Sequence, residues 1–239
     1  MIRSPLAREL RDAVNCEPRR NARPVDMIVL HYTGMSSAAA ACERLCGKDG
    51  GVSCHYLVDE DGTIIQMVGE EYRAWHAGIS MWHGETDINS RSIGIEIQNP
   101  GHGPDYREFP IDQMAAVVSL CRDIASRHRV PDRHVLAHSD VAPGRKIDPG
   151  ERFDWEFLHR HGVGHWVPPE PPGGPLLDSA ELRRFQELLA GYGYGLAVTG
   201  ALDDQTRRVS DAFTRHFRPL QVTQEPDRSV LVTAERLVA

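Results

Sequence analysis

The chain has 239 residues, of which 41% are hydrophobic and 26% charged, and its formal net charge is -7 at pH 7. This length suffices for one good-sized hydrophobic core and a smaller module, and the composition is ordinary for a soluble globular protein. A negative chain without a basic patch lacks the electrostatic footprint of a nucleic-acid-binding protein. No apolar stretch is long enough to span a bilayer. We therefore expect neither nucleic acid nor membrane among its partners.

The predicted elements of the first part of the chain alternate between strands and helices. Residues 25–31 form an apolar run typical of a buried strand, and residues 36–47 predict a helix with a serine N-cap that stops at Gly47. Residues 54–68 hold two β-rich runs around an Asp-Gly pair, which is the pattern of a hairpin.

Further along the chain the same kinds of pattern recur. Residues 92–98 alternate between polar and apolar side chains as in a half-buried strand, residues 111–128 carry apolar side chains at helical spacing, and residues 135–138 predict one more short strand. The resulting order is β-α-β-β-β-α-β. It predicts an α/β fold with a mixed central sheet flanked by helices.

The composition changes abruptly at residue 166, where ten consecutive positions contain five prolines and two glycines. Such a segment is typical of a semi-rigid linker. We therefore predict a first domain over residues 1–166, a Pro-rich linker over 167–177 and a small three-helix domain over 178–239. The last domain contains no cluster of acids, bases or nucleophiles, so we expect a binding module that the chemistry does not need.

A reactive site is predicted where the loop 137–150 meets the end of the first strand. Prolines and glycines prevent this loop from forming a regular helix, and it presents His138, Lys146 and Asp148. His31 ends the apolar run upstream. Two histidines and a carboxylate are typical of a catalytic zinc site with one position open for water. For His31 taken alone, the alternative is a core histidine bonded to backbone.

Glu96 is an acidic residue inside an otherwise apolar strand. Strand alternation puts it on one face with Gly94 and Gln98, and three isoleucines on the other face. If the polar face meets the zinc, Glu96 can take a proton from water, and partial burial would raise its pKa toward the range of a useful general base. The alternative is an edge-strand carboxylate that faces solvent.

Two further features belong to the same predicted cleft. Lys146 precedes Asp148 by two residues, so its cation can stabilise the oxyanion that forms when water adds to an amide carbonyl. A solvated loop lysine is the alternative. Trp75 and His76, within the stretch RAWHAG, can line a cleft for a sugar or a peptide, and aromatic packing under a loop explains them equally well.

Several sequence blocks occur in a fixed order across residues 25–160: VLHYTG, SCHYLVDEDGTIIQMV, WHAGIS, SIGIEIQN and AHSDVAPGRKIDPG, followed by FDW. In these blocks the chain resembles the zinc-dependent N-acetylmuramoyl-L-alanine amidases of the type 2 fold, which is shared with the peptidoglycan recognition proteins. The helical segment at the end of the chain resembles a peptidoglycan-binding module. The resemblance implies hydrolysis of the amide bond between N-acetylmuramic acid, or its 1,6-anhydro form, and L-alanine.

The resemblance also implies roles for individual residues. It implies a Zn²⁺ ion held by His31, His138 and Asp148. It implies Glu96 as the catalytic acid and base and Lys146 as the oxyanion stabiliser. It implies substrate contacts from Trp75, His76, Ala77 and Asn99. Family members with a catalytic tyrosine carry it where this chain has Cys54, so no tyrosine-assisted step is expected.

The expected substrate is a muropeptide or peptidoglycan, and the sequence gives no indication of the oligomeric state. The start of the chain has no apolar run typical of a secretory signal, and its five cysteines show no disulfide spacing. We therefore expect a cytoplasmic enzyme of cell-wall recycling. Two alternatives are a non-catalytic recognition protein on the same fold and an exported amidase whose signal is missing from this start. Binding-only members typically lose a zinc ligand, and the presence of all three favours an enzyme.

Overall fold

The computed structural model describes residues 2–20 and 23–239. Within these residues the strands are β1 (Glu9–Leu10), β2 (Cys16–Pro18), β3 (Met27–Tyr32), β4 (Tyr56–Val58), β5 (Ile64–Gln66), β6 (Tyr72–Ala74), β7 (Ser92–Ile97) and β8 (Val135–Ala137). The helices are α1 (Ala38–Cys46), α2 (Ile88–Arg91), α3 (Ile111–His128), α4 (His138–Val141), α5 (Trp155–Arg160), α6 (Ser179–Tyr192), α7 (Asp204–Phe217) and α8 (Arg228–Val238). Short 3₁₀ helices also cover Lys48–Gly50 and Asp132–His134.

The centre of the molecule is a six-stranded sheet with the order β1-β5-β4-β7-β3-β8. Strand β7 runs parallel to β3 and β4, β3 runs parallel to β8, and β5 runs antiparallel to β4. The sheet is therefore mixed and flanked by helices, as predicted. Because β3, β7 and β8 are parallel, their carboxyl ends meet at one edge of the sheet, which is where α/β proteins commonly place ligands.

Strand β7 has one apolar face and one polar face, as its alternation predicts. Its isoleucines Ile93, Ile95 and Ile97 are all fully buried in the main core, and burial of each stabilises the fold by roughly 1.5–3 kcal/mol. On the other face Gly94 allows a histidine ring to approach, since a Cβ at Gly94 would lie 2.5 Å from Cγ of His76. Glycine at this position thus brings His76 against the sheet.

The predicted helices and hairpin of the first part of the chain are present. Helix α1 begins after Ser37, whose side chain accepts a hydrogen bond from the Ala40 N–H, and ends at Gly47. Helix α3 covers the predicted span 111–128. Strands β4 and β5 pair in antiparallel register around a turn at Gly62, which has a φ of +82°.

The first residues of the chain contribute strands that the sequence analysis did not predict. Strand β1 pairs in parallel with β5 at the edge of the main sheet, and β2 forms a separate two-stranded antiparallel sheet with β6. Strands of two or three residues are too short to show the alternation on which a sequence-based prediction depends.

The end of the chain folds into three helices, α6, α7 and α8, after the proline-rich segment. The side chains of Asp178 and Glu181 form a capping box at the start of α6, and α6 ends before Gly193. The rings of Tyr192 and Tyr194 pack edge-on against Trp82, with centroids 5.9 and 5.0 Å apart. The hydrophobic core is consequently continuous from the sheet into the helices, while the predicted domain limits stay a prediction.

No helix in the described parts of the chain combines the length and the apolar character needed to cross a membrane.

Candidate metal centre and active site

Three side chains from two distant parts of the chain meet at the carboxyl edge of the sheet. Nδ1 of His31, in β3, lies 2.8 Å from Nδ1 of His138, the first residue of α4. Oδ2 of Asp148 lies 3.1 Å from the first nitrogen and 3.0 Å from the second. All three residues are buried. The geometry thus brings together the three residues for which the sequence predicts metal ligation.

This donor set fits a zinc ion. Bond lengths of 2.0–2.1 Å in a tetrahedral site put neighbouring donor atoms about 3.3 Å apart, and the observed separations are 2.8–3.1 Å. A small opening of the triad would therefore accommodate the ion. Two imidazole nitrogens and one carboxylate oxygen are also a typical ligand combination of catalytic zinc sites.

The ring of His31 is oriented by a chain of hydrogen bonds behind it. The Ser92 hydroxyl donates to the Ile88 carbonyl at 2.7 Å, so it accepts from Nε2 of His76 at 3.1 Å. Nδ1 of His76 then accepts from Nε2–H of His31 at 3.0 Å. This assignment leaves Nδ1 of His31 without a proton, and this nitrogen faces His138 and Asp148. Outer hydrogen bonds of this kind fix the tautomer and orientation of metal-binding histidines.

Charge and burial agree with a neutral His31 and an ionised Asp148. Burial, followed by the neighbouring His138, lowers the pKa of His31 to about 4. Burial opposes ionisation of Asp148, but His138 and His31 outweigh it and hold the pKa of that carboxyl well below its usual range. Nε2 of His138 lies 3.0 Å from the Ala77 carbonyl, which can accept its proton and leave Nδ1 free. Both rings thus present a lone pair to the same point.

Glu96 faces this point from the adjacent strand. It is the register partner of His31 in the β3–β7 ladder. Its Oε2 atom is buried and has no hydrogen-bond partner among the described residues. Burial, and then the charge of Asp148, raise the pKa of Glu96 well above its usual range, while the cation of Lys146 lowers it. An unpartnered carboxylate with a raised pKa is what a general base requires.

A cavity of about 320 Å³ joins these groups. The predicted residues that line it are His31, Trp75, His76, Glu96, His138, Lys146 and Asp148. Lys146 therefore lines the same cavity as Glu96 and the group formed by His31, His138 and Asp148. A larger cavity of about 480 Å³ lies between residues 151–156, the proline-rich segment and residues 218–221. It contains none of the predicted site residues.

The predicted substrate-binding residues differ in whether their polar groups are free to contact a ligand. Trp75 lines the cavity, and its buried indole N–H has no partner within the described chain, so it is available as a donor. Both ring nitrogens of His76 are engaged by His31 and Ser92. Ala77 is fully buried, and its carbonyl faces His138. His76 and Ala77 therefore orient the rings of His31 and His138.

Asn99, for which a substrate contact is predicted, is not among the residues that line the cavity. Its amide nitrogen donates to the Arg107 carbonyl at 2.9 Å, and its Oδ1 accepts from the Gly101 N–H at 3.0 Å. The carboxamide is fully buried, and its donor and its acceptor are both used by the loop that follows β7. We assign Asn99 to loop structure.

Cys54, for which the sequence analysis excludes a tyrosine-assisted step, is fully buried in a second hydrophobic cluster. Burial, and then the charge of Glu96, raise the pKa of its thiol well above the usual range. The thiol is therefore held in its neutral form.

Sequence reasoning missed three residues close to the candidate metal-binding group, namely Asp140, Tyr194 and His216. The carboxylate of Asp140, two positions after His138, accepts hydrogen bonds from Tyr194 and His216. These partners follow 54 and 76 residues later in the chain. No local pattern signals contacts over such a separation.

Comparison with known proteins agrees with this site. The sequence pattern of the family described as "N-acetylmuramoyl-L-alanine amidase" matches residues 21–151. AmiD of Escherichia coli (strain K12) is 35% identical over 253 aligned residues, which cover 95% of this chain and 89% of AmiD.

Solved structures give the same result over nearly the whole chain. The complex of E. coli AmiD with anhydro-N-acetylmuramic acid-L-Ala-D-gamma-Glu-L-Lys superposes with a TM-score of 0.80 at 34% identity, covering 92% of this chain and 91% of that chain. AmpDh3 of Pseudomonas aeruginosa superposes with a TM-score of 0.76 at 30% identity, covering 91% and 93%. The chain therefore belongs to the type 2 family of N-acetylmuramoyl-L-alanine amidases.

Proposed function

We propose that this protein is a zinc enzyme that hydrolyses the amide bond between the lactyl group of N-acetylmuramic acid and L-alanine in peptidoglycan fragments. The observation that carries the proposal is the convergence of His31, His138 and Asp148 in one cavity with the unpartnered carboxylate of Glu96. Structures of AmiD and AmpDh3 with anhydromuramic peptides support the 1,6-anhydro form as the substrate.

The residues of the cavity divide the chemistry between them. Bound zinc would supply Lewis-acid chemistry, which polarises the amide carbonyl and lowers the pKa of water. Glu96 takes a proton from the attacking water while the water oxygen bonds to the carbonyl carbon. The same proton then passes to the alanine nitrogen when the C–N bond breaks, so that Glu96 returns to its carboxylate form. Lys146 stabilises the negative charge that develops on the carbonyl oxygen.

A single assay tests the activity and the substrate form. Purified anhydro-muropeptide, its non-anhydro counterpart and intact sacculi are incubated with the enzyme and analysed by mass spectrometry. We expect release of the stem peptide with a free L-alanine amino group, fastest from the anhydro compound. A protein that binds muropeptide and leaves all three substrates uncleaved would instead be a recognition protein on the same fold.

Lys146→Ala is expected to slow turnover by about 10²–10³-fold, which is the usual cost of losing one oxyanion donor. It should also move the acid limb of the pH–rate profile to higher pH. The cation lowers the pKa of Glu96, so its removal raises that pKa, and the base form becomes populated only at higher pH. The measurement is kcat as a function of pH.

The chain offers a matched control for this variant, since Lys48 is its only other lysine. Lys48 is exposed and lies outside the cavity. Lys48→Ala should leave both kcat and the pH profile unchanged. Equal kinetics of the two variants would show that Lys146 is a solvated loop lysine.

The cellular location is proposed to be the cytoplasm, with soluble muropeptides of cell-wall recycling as substrates. The proposal is supported by the five cysteines, all of which are free thiols in the described structure and so fit a reducing compartment. Fractionation of cells that express the native gene tests it. Recovery of the protein outside the cytoplasmic membrane would favour an exported wall-degrading amidase.

A further inference from the structure

The metal ligand His138 begins a four-residue helix, α4, whose third residue is a fully buried aspartate. Oδ2 of Asp140 accepts hydrogen bonds from the Ala137 N–H at 2.8 Å and from Nδ1 of His216 at 2.7 Å. Oδ1 accepts from the Tyr194 hydroxyl at 2.6 Å. A buried carboxylate is costly unless it is satisfied in this way.

The two side-chain donors come from the C-terminal part of the chain, Tyr194 from the segment that follows α6 and His216 from α7, and both are held as hydrogen-bond donors. Burial, and then the charge of Asp140, raise the pKa of Tyr194 well above its usual range, so its hydroxyl keeps its proton. The buried Nε2 of His216 has no partner among the described residues. A neutral ring with its proton on Nδ1 donates to Asp140 and leaves no N–H unsatisfied.

The His216 ring is fixed in place by stacking. Its centroid lies 3.7 Å from that of Trp155, with 25° between the ring planes, and 4.0 Å from that of Phe217, with 5° between the planes. The donor nitrogen therefore has one direction available, which is toward Asp140. Trp155 belongs to α5 and His216 to α7, so the stack also joins the first part of the chain to its end.

The bonds of Asp140 bear directly on the metal ligands. The Ala137 N–H belongs to the residue that immediately precedes His138, so the Asp140 carboxylate fixes the backbone at the start of α4. The Ser139 N–H in turn donates to the Asp148 carbonyl at 3.1 Å. Two of the three proposed metal ligands, His138 and Asp148, are thus tied to the backbone of α4. That backbone is fixed by the Asp140 carboxylate, which Tyr194 and His216 hold in place.

Helix α7 contacts the same loop at two further points. Arg208 packs on Gly144, where a Cβ would lie 2.4 Å from Cδ of Arg208. Arg215 forms an ion pair with Glu151, three residues after Asp148. The loop that carries Lys146 and Asp148 therefore lies against α7 on both sides of those residues.

We propose that the C-terminal helices position the metal centre, with Tyr194 and His216 acting as positioning residues through Asp140. The inference rests on the proposed function only in that His138 and Asp148 bind the metal. It is the opposite of the sequence-based expectation that the helices are dispensable for the chemistry. The C-terminal helices would then contribute to the affinity for zinc.

The test compares zinc affinity, measured by competition with a chromophoric chelator, in Tyr194→Phe, His216→Phe and the double variant. Each single variant removes one donor while keeping an aromatic ring in the core. Loss of partners around metal ligands typically weakens metal binding by about 10–100-fold, and we expect the lower part of this range for each single variant. The Co²⁺-substituted proteins should also show shifted d–d absorption bands.

Two further variants separate positioning from general destabilisation. Tyr192→Phe is the matched control, because Tyr192 is equally buried and packs on the same Trp82, but its hydroxyl bonds to His165. It should bind zinc as tightly as the wild-type protein. His216→Asn places an amide donor near the position of Nδ1, and it should recover affinity relative to His216→Phe.

A second readout does not require metal or turnover. In the metal-free protein, amide hydrogen exchange of residues 137–150 should be faster in Tyr194→Phe than in Tyr192→Phe. If the double variant binds zinc as tightly as Tyr192→Phe, the inference is wrong and the proposed function is untouched. If the variants lose zinc affinity while the wild-type protein cleaves no muropeptide, the inference holds and the proposed function fails. A wild-type protein that binds no zinc would overturn both.

Discussion

Asp148→Ala should purify without stoichiometric zinc and should be inactive even when zinc is added. Asp148 is the only carboxylate in the donor group of the described structure, and its loss leaves two imidazole rings. A catalytic metal supplies several kcal/mol of transition-state stabilisation, so we expect kcat to fall by about 10³-fold or more. Metal content by mass spectrometry and turnover of anhydro-muropeptide measure the two effects.

Chelation of the wild-type protein gives the corresponding reversible experiment. Activity should disappear on removal of zinc and return when zinc is added back, whereas Asp148→Ala should not respond. Asp105→Ala, which changes an exposed aspartate outside the cavity, is the control and should behave as wild type. Full turnover by protein shown to be metal-free would contradict the assignment of the centre.

Glu96→Gln should retain zinc and the fold but lose turnover. The glutamine amide has nearly the shape of the carboxylate and cannot accept a proton from the attacking water. Loss of a general base typically costs about 10²–10⁴-fold in rate. Because the pKa of Glu96 is raised, the wild-type rate should fall as the pH decreases through that pKa. The variant should lack this acid limb.

Glu43→Gln is a suitable control, since Glu43 is exposed on α1 and lies outside the cavity. Its kcat and its pH profile should match those of the wild-type protein. Zinc content of Glu96→Gln must equal that of the wild type for the comparison to report on proton transfer. Near-normal kcat in a zinc-loaded Glu96→Gln would mean that another group serves as the base.

Elements with a strong local pattern could be predicted from the sequence, and short ones could not. Helix α3 spans Ile111–His128, as its apolar repeat predicts, and α6 begins at the Asp178 capping box. Strands β1 and β2 contain only two and three residues, which is too short to establish an alternation of buried and exposed positions. Their pairing depends on strands far along the chain.

In the candidate site, too, features with a local sequence pattern could be predicted and contacts between distant segments could not. Histidines at the ends of predicted strands and a carboxylate on a Pro- and Gly-rich loop predict a metal centre, because parallel strands end at a common edge. A substrate contact from Asn99 stays a prediction, and in this structure its carboxamide is bonded within the loop that follows β7. The contacts of Asp140 depend on packing between distant segments, and no spacing along the chain reveals them.

The pairing of His31 with Glu96 across β3 and β7 has a consequence for engineering. Adjacent strands lie about 4.8 Å apart, so the backbone positions of this donor and this base are set by the hydrogen-bond ladder. A one-residue slip between the two strands would carry Glu96 to the opposite face. Lengthening the loop between His138 and Asp148 would leave the pair intact. Redesign for a metal of another size therefore belongs in that loop, with the two strands kept as a fixed frame.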